Sequence, residues 1–133
     1  MSDVTERGDA RGRNFVLVVD NQPYSRVVAG SILENLGWPS LLAADLANAV
    51  ELFREFADRI AAILLDRKTA EIAAERAVSS VPRLGAGVPL IVYGPGQAGD
   101  VRRLFPDRPQ INCIPRPFSY AELDEALRQT VER

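Results

Sequence analysis

Two aspartates close apolar, β-branched runs in this chain: Asp20 follows Phe15–Val19, and Asp66 follows Ile60–Leu65. Where such runs are parallel strands flanked by helices, ligands and chemistry gather outside their carboxyl ends. A carboxylate there is either a working group or a local cap for the turn or helix that follows, and Asp20, just before Pro23, also suits an Asx-turn. Other residues with usable chemistry occupy equivalent places. Asn21 adjoins Asp20, Lys68 lies two residues past Asp66, Gly94 follows Pro89–Tyr93, and Arg116 comes just after Gln110–Ile114. Arg116 suits contact with a phosphate or carboxylate, or a plain ion pair with Asp66 or Asp20. Gly94, Gly96 and Gly99 satisfy the dinucleotide-binding spacing. That fingerprint needs a full helix after it and an acid about 20 residues on. Here Pro106 cuts the helix short and Pro115 and Arg116 stand at the acid's place, so the glycines read as a flexible loop.

The inventory removes several chemistries. The chain has no histidine and one cysteine, Cys113. An imidazole base, a Ser-His or Cys-His pair, a His-ligated zinc and an intrachain disulfide are therefore excluded. Cys113 reads as buried packing, because nothing near it in sequence activates a thiol. Sixteen basic and eighteen acidic residues leave a net charge of −2, which argues against nucleic acid as a partner, and Arg102, Arg103 and Arg108 read as a solvated face. No run approaches the ~18 apolar residues of a membrane-spanning helix, so a cytoplasmic location with no membrane partner is expected.

The elements that must hold these residues follow from periodicity. The 133 residues, 47% of them hydrophobic, suffice for one domain with its own core. Residues 1–13 are charged and aperiodic and read as a disordered tail, leaving 14–133 as the domain. After the first strand, Val27, Val28, Ile32, Leu33 and Leu36 recur at helical spacing up to a C-capping Gly37. A weaker strand spans about 40–44, and Ala49 to Phe56 mark a second helix. After Asp66, a third helix capped near Thr69 carries Ile72, Ala73, Ala77, Val78 and Val81. A short helix spans about 100–105. Ser119 and Glu122 form a capping-box pair at the start of the last helix. Five strands alternating with five helices predict an α/β three-layer sandwich around a parallel sheet.

On these features the chain resembles the CheY-like receiver domain of bacterial two-component response regulators. The matching segments are Val18-Val19-Asp20-Asn21-Gln22-Pro23, Ile63-Leu64-Leu65-Asp66, Pro89-Leu90-Ile91-Val92, and Arg116-Pro117-Phe118 with Ala121-Glu122-Leu123. The resemblance implies a flavodoxin-like (βα)5 fold with strand order 2-1-3-4-5. It also implies a signalling role rather than an enzyme's, with Asp66 as phosphoacceptor. Mg²⁺ would be held by Asp20, Asn21, Asp66 and the backbone carbonyl of Lys68. The match is degenerate. Asn21 replaces the second acid, which weakens the metal site, and Arg116 replaces a lysine. Gly94 replaces the Thr or Ser that follows the phosphoryl group, and Cys113 replaces the switch aromatic. Lys68 is in reach to offset the carboxylates' charge without metal. The implied partners are a histidine kinase or histidine phosphotransfer protein and an effector protein, with a homodimer through helix 4, strand 5 and helix 5 as one arrangement. Two roles follow: a phosphorelay receiver charged on Asp66 by a phosphohistidine donor, or a pseudo-receiver that binds proteins without phosphorylation.

Overall fold

The computed structural model describes residues 7–75, 87–95, 98–106 and 110–132. Within them the strands are β1 (Phe15–Val19), β2 (Ser40–Ala43), β3 (Ile60–Asp66), β4 (Leu90–Tyr93) and β5 (Ile111–Ile114). The helices are α1 (Pro23–Asn35), α2 (Leu46–Phe56), α3 (Arg67–Glu75), α4 (Ala98–Leu104) and α5 (Tyr120–Thr130). All strand pairs are parallel, and their order is β2-β1-β3-β4-β5. This is the flavodoxin-like arrangement expected from the sequence. No helix among the described residues is long and apolar enough to cross a membrane.

Period-two alternation splits the core into two layers. Val16, Val18, Leu64, Ile91 and Tyr93 pack under α1 and α5, with Leu33, Leu123 and Leu127. Leu17, Val19, Ile63, Leu65 and Val92 pack on the opposite face with Ala49, Ala70, Ala73 and Val101 of α2, α3 and α4. β3 is buried along its whole length. Its register to β1 slips by one residue near its start: Phe15 faces Ile60, whereas Val16 faces Ala62 and Val19 faces Leu65. That extra residue decides where the acids meet. It sets Asp66 in the row after Leu65, beside Asp20 and on the same face; without it Asp66 would fall one row further and on the other face.

Local signals close the helices. Gly37 has φ +92, and the bonds Gly37 N–H to Glu34 O (3.0 Å) and Trp38 N–H to Leu33 O (2.9 Å) form a Schellman end to α1. Ser119 accepts from the Glu122 N–H at 3.1 Å while Glu122 accepts from the Ser119 N–H at 2.8 Å, the expected capping box. The third helix begins at Arg67 rather than near Thr69, and its expected continuation through Ala77, Val78 and Val81 lies outside the described residues.

The expected tail departs most from expectation. From Arg7 onward it packs on the domain. The Arg7 guanidinium donates to Asp124 and to both carboxylate oxygens of Glu132, and Nη1 donates to the Leu36 carbonyl at 3.2 Å. It also lies 5.2 Å from the ring centre of Trp38, which is fully buried. A planar fork meets two carboxylates and a helix-terminal carbonyl at once, a geometry that periodicity cannot announce. Asp9 then holds the turn by accepting the N–H groups of Arg11 (2.9 Å) and Arg13 (2.8 Å).

Arg7→Ala is expected to cost about 2 kcal/mol, because it removes the guanidinium partner of Glu132 and leaves Asp124 with Arg128 alone. Chemical denaturation followed by the fluorescence of Trp38, the sole tryptophan, measures this. Burial pushes the Asp124 carboxyl upward, but hydrogen bonds from Arg7 and Arg128 outweigh it and hold it below its ordinary 3.8. The stability it contributes is therefore present at neutral pH and lost as pH falls below about 4, where the Arg7→Ala penalty shrinks.

Candidate functional site

The register places Asp20, Asp66 and Tyr93 in one row across β1, β3 and β4, since Asp66 pairs with Tyr93 and the preceding row pairs Val19 with Leu65. Alternation aims all three to the α1 and α5 face. Asp20 is fully buried and Asp66 nearly so, at 3% exposure. A buried carboxylate needs partners. Asp20 Oδ1 accepts the Gln22 N–H at 2.9 Å and Oδ2 accepts the Tyr93 hydroxyl. Asp66 Oδ2 accepts the Thr69 N–H at 3.3 Å and Oδ1 accepts the Thr69 hydroxyl. Each of the four carboxylate oxygens thus accepts one hydrogen bond from a neutral donor of the protein.

These bonds give the acids their local roles. Asp66 is the N-cap of α3 with Thr69 at the third helical position, the usual reach of a capping carboxylate. Asp20 forms an Asx-turn into Pro23, which opens α1. From sequence, Thr69 reads only as a helix-cap position and Tyr93 only as the end of a strand, not as partners of the aspartates. The Asp66-x-x-Thr69 spacing was a usable signal, and a Tyr ending a buried strand implies a partner for its hydroxyl. Burial, then the Asp20 carboxylate, push the Tyr93 phenol far above its usual range, so it remains a donor.

Of the other expected site residues, Lys68, Gly94 and Arg116 line one cleft with Asp66, whereas Asn21 and Cys113 do not line it. Asn21 is exposed. Lys68 is exposed and makes no ion pair among the described residues, so it does not offset the carboxylates through a direct pair. Its carbonyl lies in the first turn of α3 and points along the helix axis, which removes it from the expected metal ligands. Arg116 is exposed and sits 5.8 Å from the Tyr93 ring centre, with no ion pair to Asp66 or Asp20. Together with Asp66, Arg67, Lys68, Glu71, Gly94 and Pro95 it lines an open cleft of about 430 Å³. Arg67 bridges that cleft, with Nε on Glu71 at 3.1 Å and Nη1 on the Pro95 carbonyl at 3.2 Å. Arg102 and Arg103 are exposed, as a solvated face requires; Arg108, Gly96 and Gln97 lie outside the described residues.

Gly94 is a packing requirement. Its φ is +141, and a Cβ there would meet the Arg67 Cβ at 2.8 Å. Cys113 pairs with Val92 in the sheet and packs against the α2–α4 layer. Burial pushes its thiol up, against weaker opposing effects of Arg102 and Arg67, so it stays protonated near neutrality.

No family model and no curated protein matches this chain. Solved structures do. A response regulator receiver domain from Clostridium thermocellum is 19% identical with a TM-score of 0.72, covering 90% of this chain and 95% of that one. Vibrio cholerae chemotaxis protein CheY4 gives 18% and 0.71, over 90% and 99%. The receiver domain of a Pseudomonas aeruginosa sensor histidine kinase, described with a magnesium ion in its active site cleft, gives 23% and 0.69, over 91% and 99%. The fold is that of CheY-like response regulator receiver domains.

Magnesium requires near-octahedral oxygen ligands and retains several waters. Here the Tyr93 phenol lies on the buried Asp20 carboxylate, where the ion and its waters would have to sit. No group of three or more acids or cysteines able to hold a metal occurs among the described residues. As folded, the pocket does not fit the ion.

Gly94→Thr, which restores a hydroxyl at this position, is expected to destabilise the domain by about 2 kcal/mol through clash and backbone strain. Urea unfolding checks it. A phenol raised in the folded state contributes stability that is complete below its unfolded value near 10 and is lost as pH rises beyond it. The stability gap between wild type and Tyr93→Phe should therefore close above about pH 10 in unfolding curves across that range.

Proposed function

We propose that this chain is a receiver-fold module of a bacterial two-component pathway that signals by contact with other proteins, with phosphorylation of Asp66 playing no part. The observation that carries the reading is the capture of both Asp66 oxygens by Thr69 in the first turn of α3. A carboxylate nucleophile needs a free oxygen aligned with the phosphoryl donor. Attack by either oxygen would withdraw negative charge from the cap that starts the helix. The exposed Arg116 on Tyr93, the absence of a hydroxyl at Gly94 and the misfit to magnesium support the same reading. Catalysis is no part of it.

The contacts we assign are to a histidine kinase or histidine phosphotransfer protein and to an effector, in the cytoplasm, through α4, β5 and α5; a homodimer through the same face belongs to this reading. One observation favours the phosphorelay alternative, in which Asp66 takes phosphate from a phosphohistidine donor: Asp66 borders an open cleft with Arg67, Lys68 and Arg116.

Incubation with acetyl phosphate, and separately with beryllofluoride plus Mg²⁺, followed by intact mass and amide NMR, distinguishes the two. We expect no adduct and an unchanged spectrum, the same as for Asp66→Asn. An adduct that disappears in Asp66→Asn overturns the proposal.

A further inference from the structure

Once Asp66 is accounted for as a helix cap, the burial of Asp20 still needs explaining. Asp20 is fully buried just past β1, and the Arg26 guanidinium donates at 2.8 Å to its backbone carbonyl rather than to its carboxylate. The carboxylate's second oxygen is served by Tyr93, two strands away. Strands lie about 4.8 Å apart, so the phenol spans roughly 10 Å of sheet and passes over the row that holds Asp66. Its ring has two neighbours: Phe118 meets it edge-on with centroids 5.3 Å apart, and the Arg116 guanidinium lies 5.8 Å from its centre. The hydroxyl cannot swing aside without losing those contacts.

We infer that the Tyr93 hydroxyl holds on Asp20 the place of a divalent cation, so that the acidic pocket of this fold is stable here without metal. The inference deepens the phosphorylation-independent reading above and rests on it. A neutral O–H satisfies the oxygen without the several waters that magnesium retains, and the ring fills the space those waters need. Tyr93 is a positioning residue: it acts by deciding what Asp20 can bind.

The test compares melting temperatures in EDTA and in about 10 mM MgCl₂ for wild type, Tyr93→Phe and Tyr93→Phe/Asp20→Asn. Wild type is expected to melt at the same temperature in both. Tyr93→Phe should melt about 4 °C lower in EDTA and recover with added Mg²⁺ by mass action on the folded state. The double variant, with neither charge nor hydroxyl, should be more stable than Tyr93→Phe in EDTA and indifferent to Mg²⁺. Should Tyr93→Phe not fold in EDTA, folding in Mg²⁺ and folding of the double variant carry the same expectation. Stabilisation of wild type by Mg²⁺ overturns the inference. So does a Tyr93→Phe variant as stable as wild type, one that Mg²⁺ fails to rescue, or rescue that survives loss of the Asp20 charge. The two proposals fail separately. Mg²⁺ stabilising a wild type that acetyl phosphate leaves unmodified defeats only this one. An Asp66 adduct formed equally in EDTA defeats only the other.

Discussion

Two carboxylates buried on adjacent strands impose the constraint around which this molecule is arranged. At a strand spacing of about 4.8 Å, like charges shielded from water repel strongly and have lost their hydration. Each oxygen must recover a partner or the pocket is destabilising. A cation, a basic side chain or neutral donors can all serve. Here the donors are neutral: the Gln22 and Thr69 N–H groups and the Tyr93 and Thr69 hydroxyls. The two strand-distant partners, Asp20 and Tyr93, are 73 residues apart in the chain.

That choice propagates through the backbone. Because Thr69 must reach Asp66 from the third helical position, α3 starts at Arg67 with no intervening loop. The Arg67 Cβ then stands where any side chain at position 94 would go, and its guanidinium ties α3 to the Pro95 carbonyl. Glycine is required at 94 for that reason. Seen one at a time, the glycine, the unusual loop after Asp66 and the missing hydroxyl are separate departures from a receiver. Packing makes them a single solution, in which a helix drawn up against the sheet excludes the residue that would sense a phosphoryl group.

Features decided by neighbours in the chain were readable without coordinates. The strands ending at Asp20 and Asp66, the Gly37 helix end and the Ser119–Glu122 box all rest on contacts within a few residues; alternation gave the parallel sheet, and the family resemblance alone gave its strand order. The partners that define the pocket were hidden because they join distant segments. Tyr93 reads as one more strand aromatic until register sets it in the row of Asp20 and Asp66. Arg7 reads as part of a polar tail until its guanidinium meets Glu132, 125 residues on. Lys68 shares the cleft of Asp66, as nearness in sequence implied, but helical geometry from Arg67 onward leaves it exposed and without an ion pair among the described residues.

The same logic bears on the α4, β5 and α5 face, through which protein contact is proposed above. A receiver relay moves a side chain between β4 and β5, but Gly94 has none to move and the Cys113 thiol stays protonated and packed in the α2–α4 layer. β5 is the sheet edge, and an edge strand invites another strand unless its outward N–H groups are occupied. The Cys113 N–H is occupied locally, by the Asn112 side-chain oxygen at 2.8 Å, and Gln129 of α5 accepts from that same amide at 3.2 Å. The outward Cys113 N–H is therefore not free to pair with another strand. On the reading proposed above, contact geometry rather than a relay of conformations sets which protein binds.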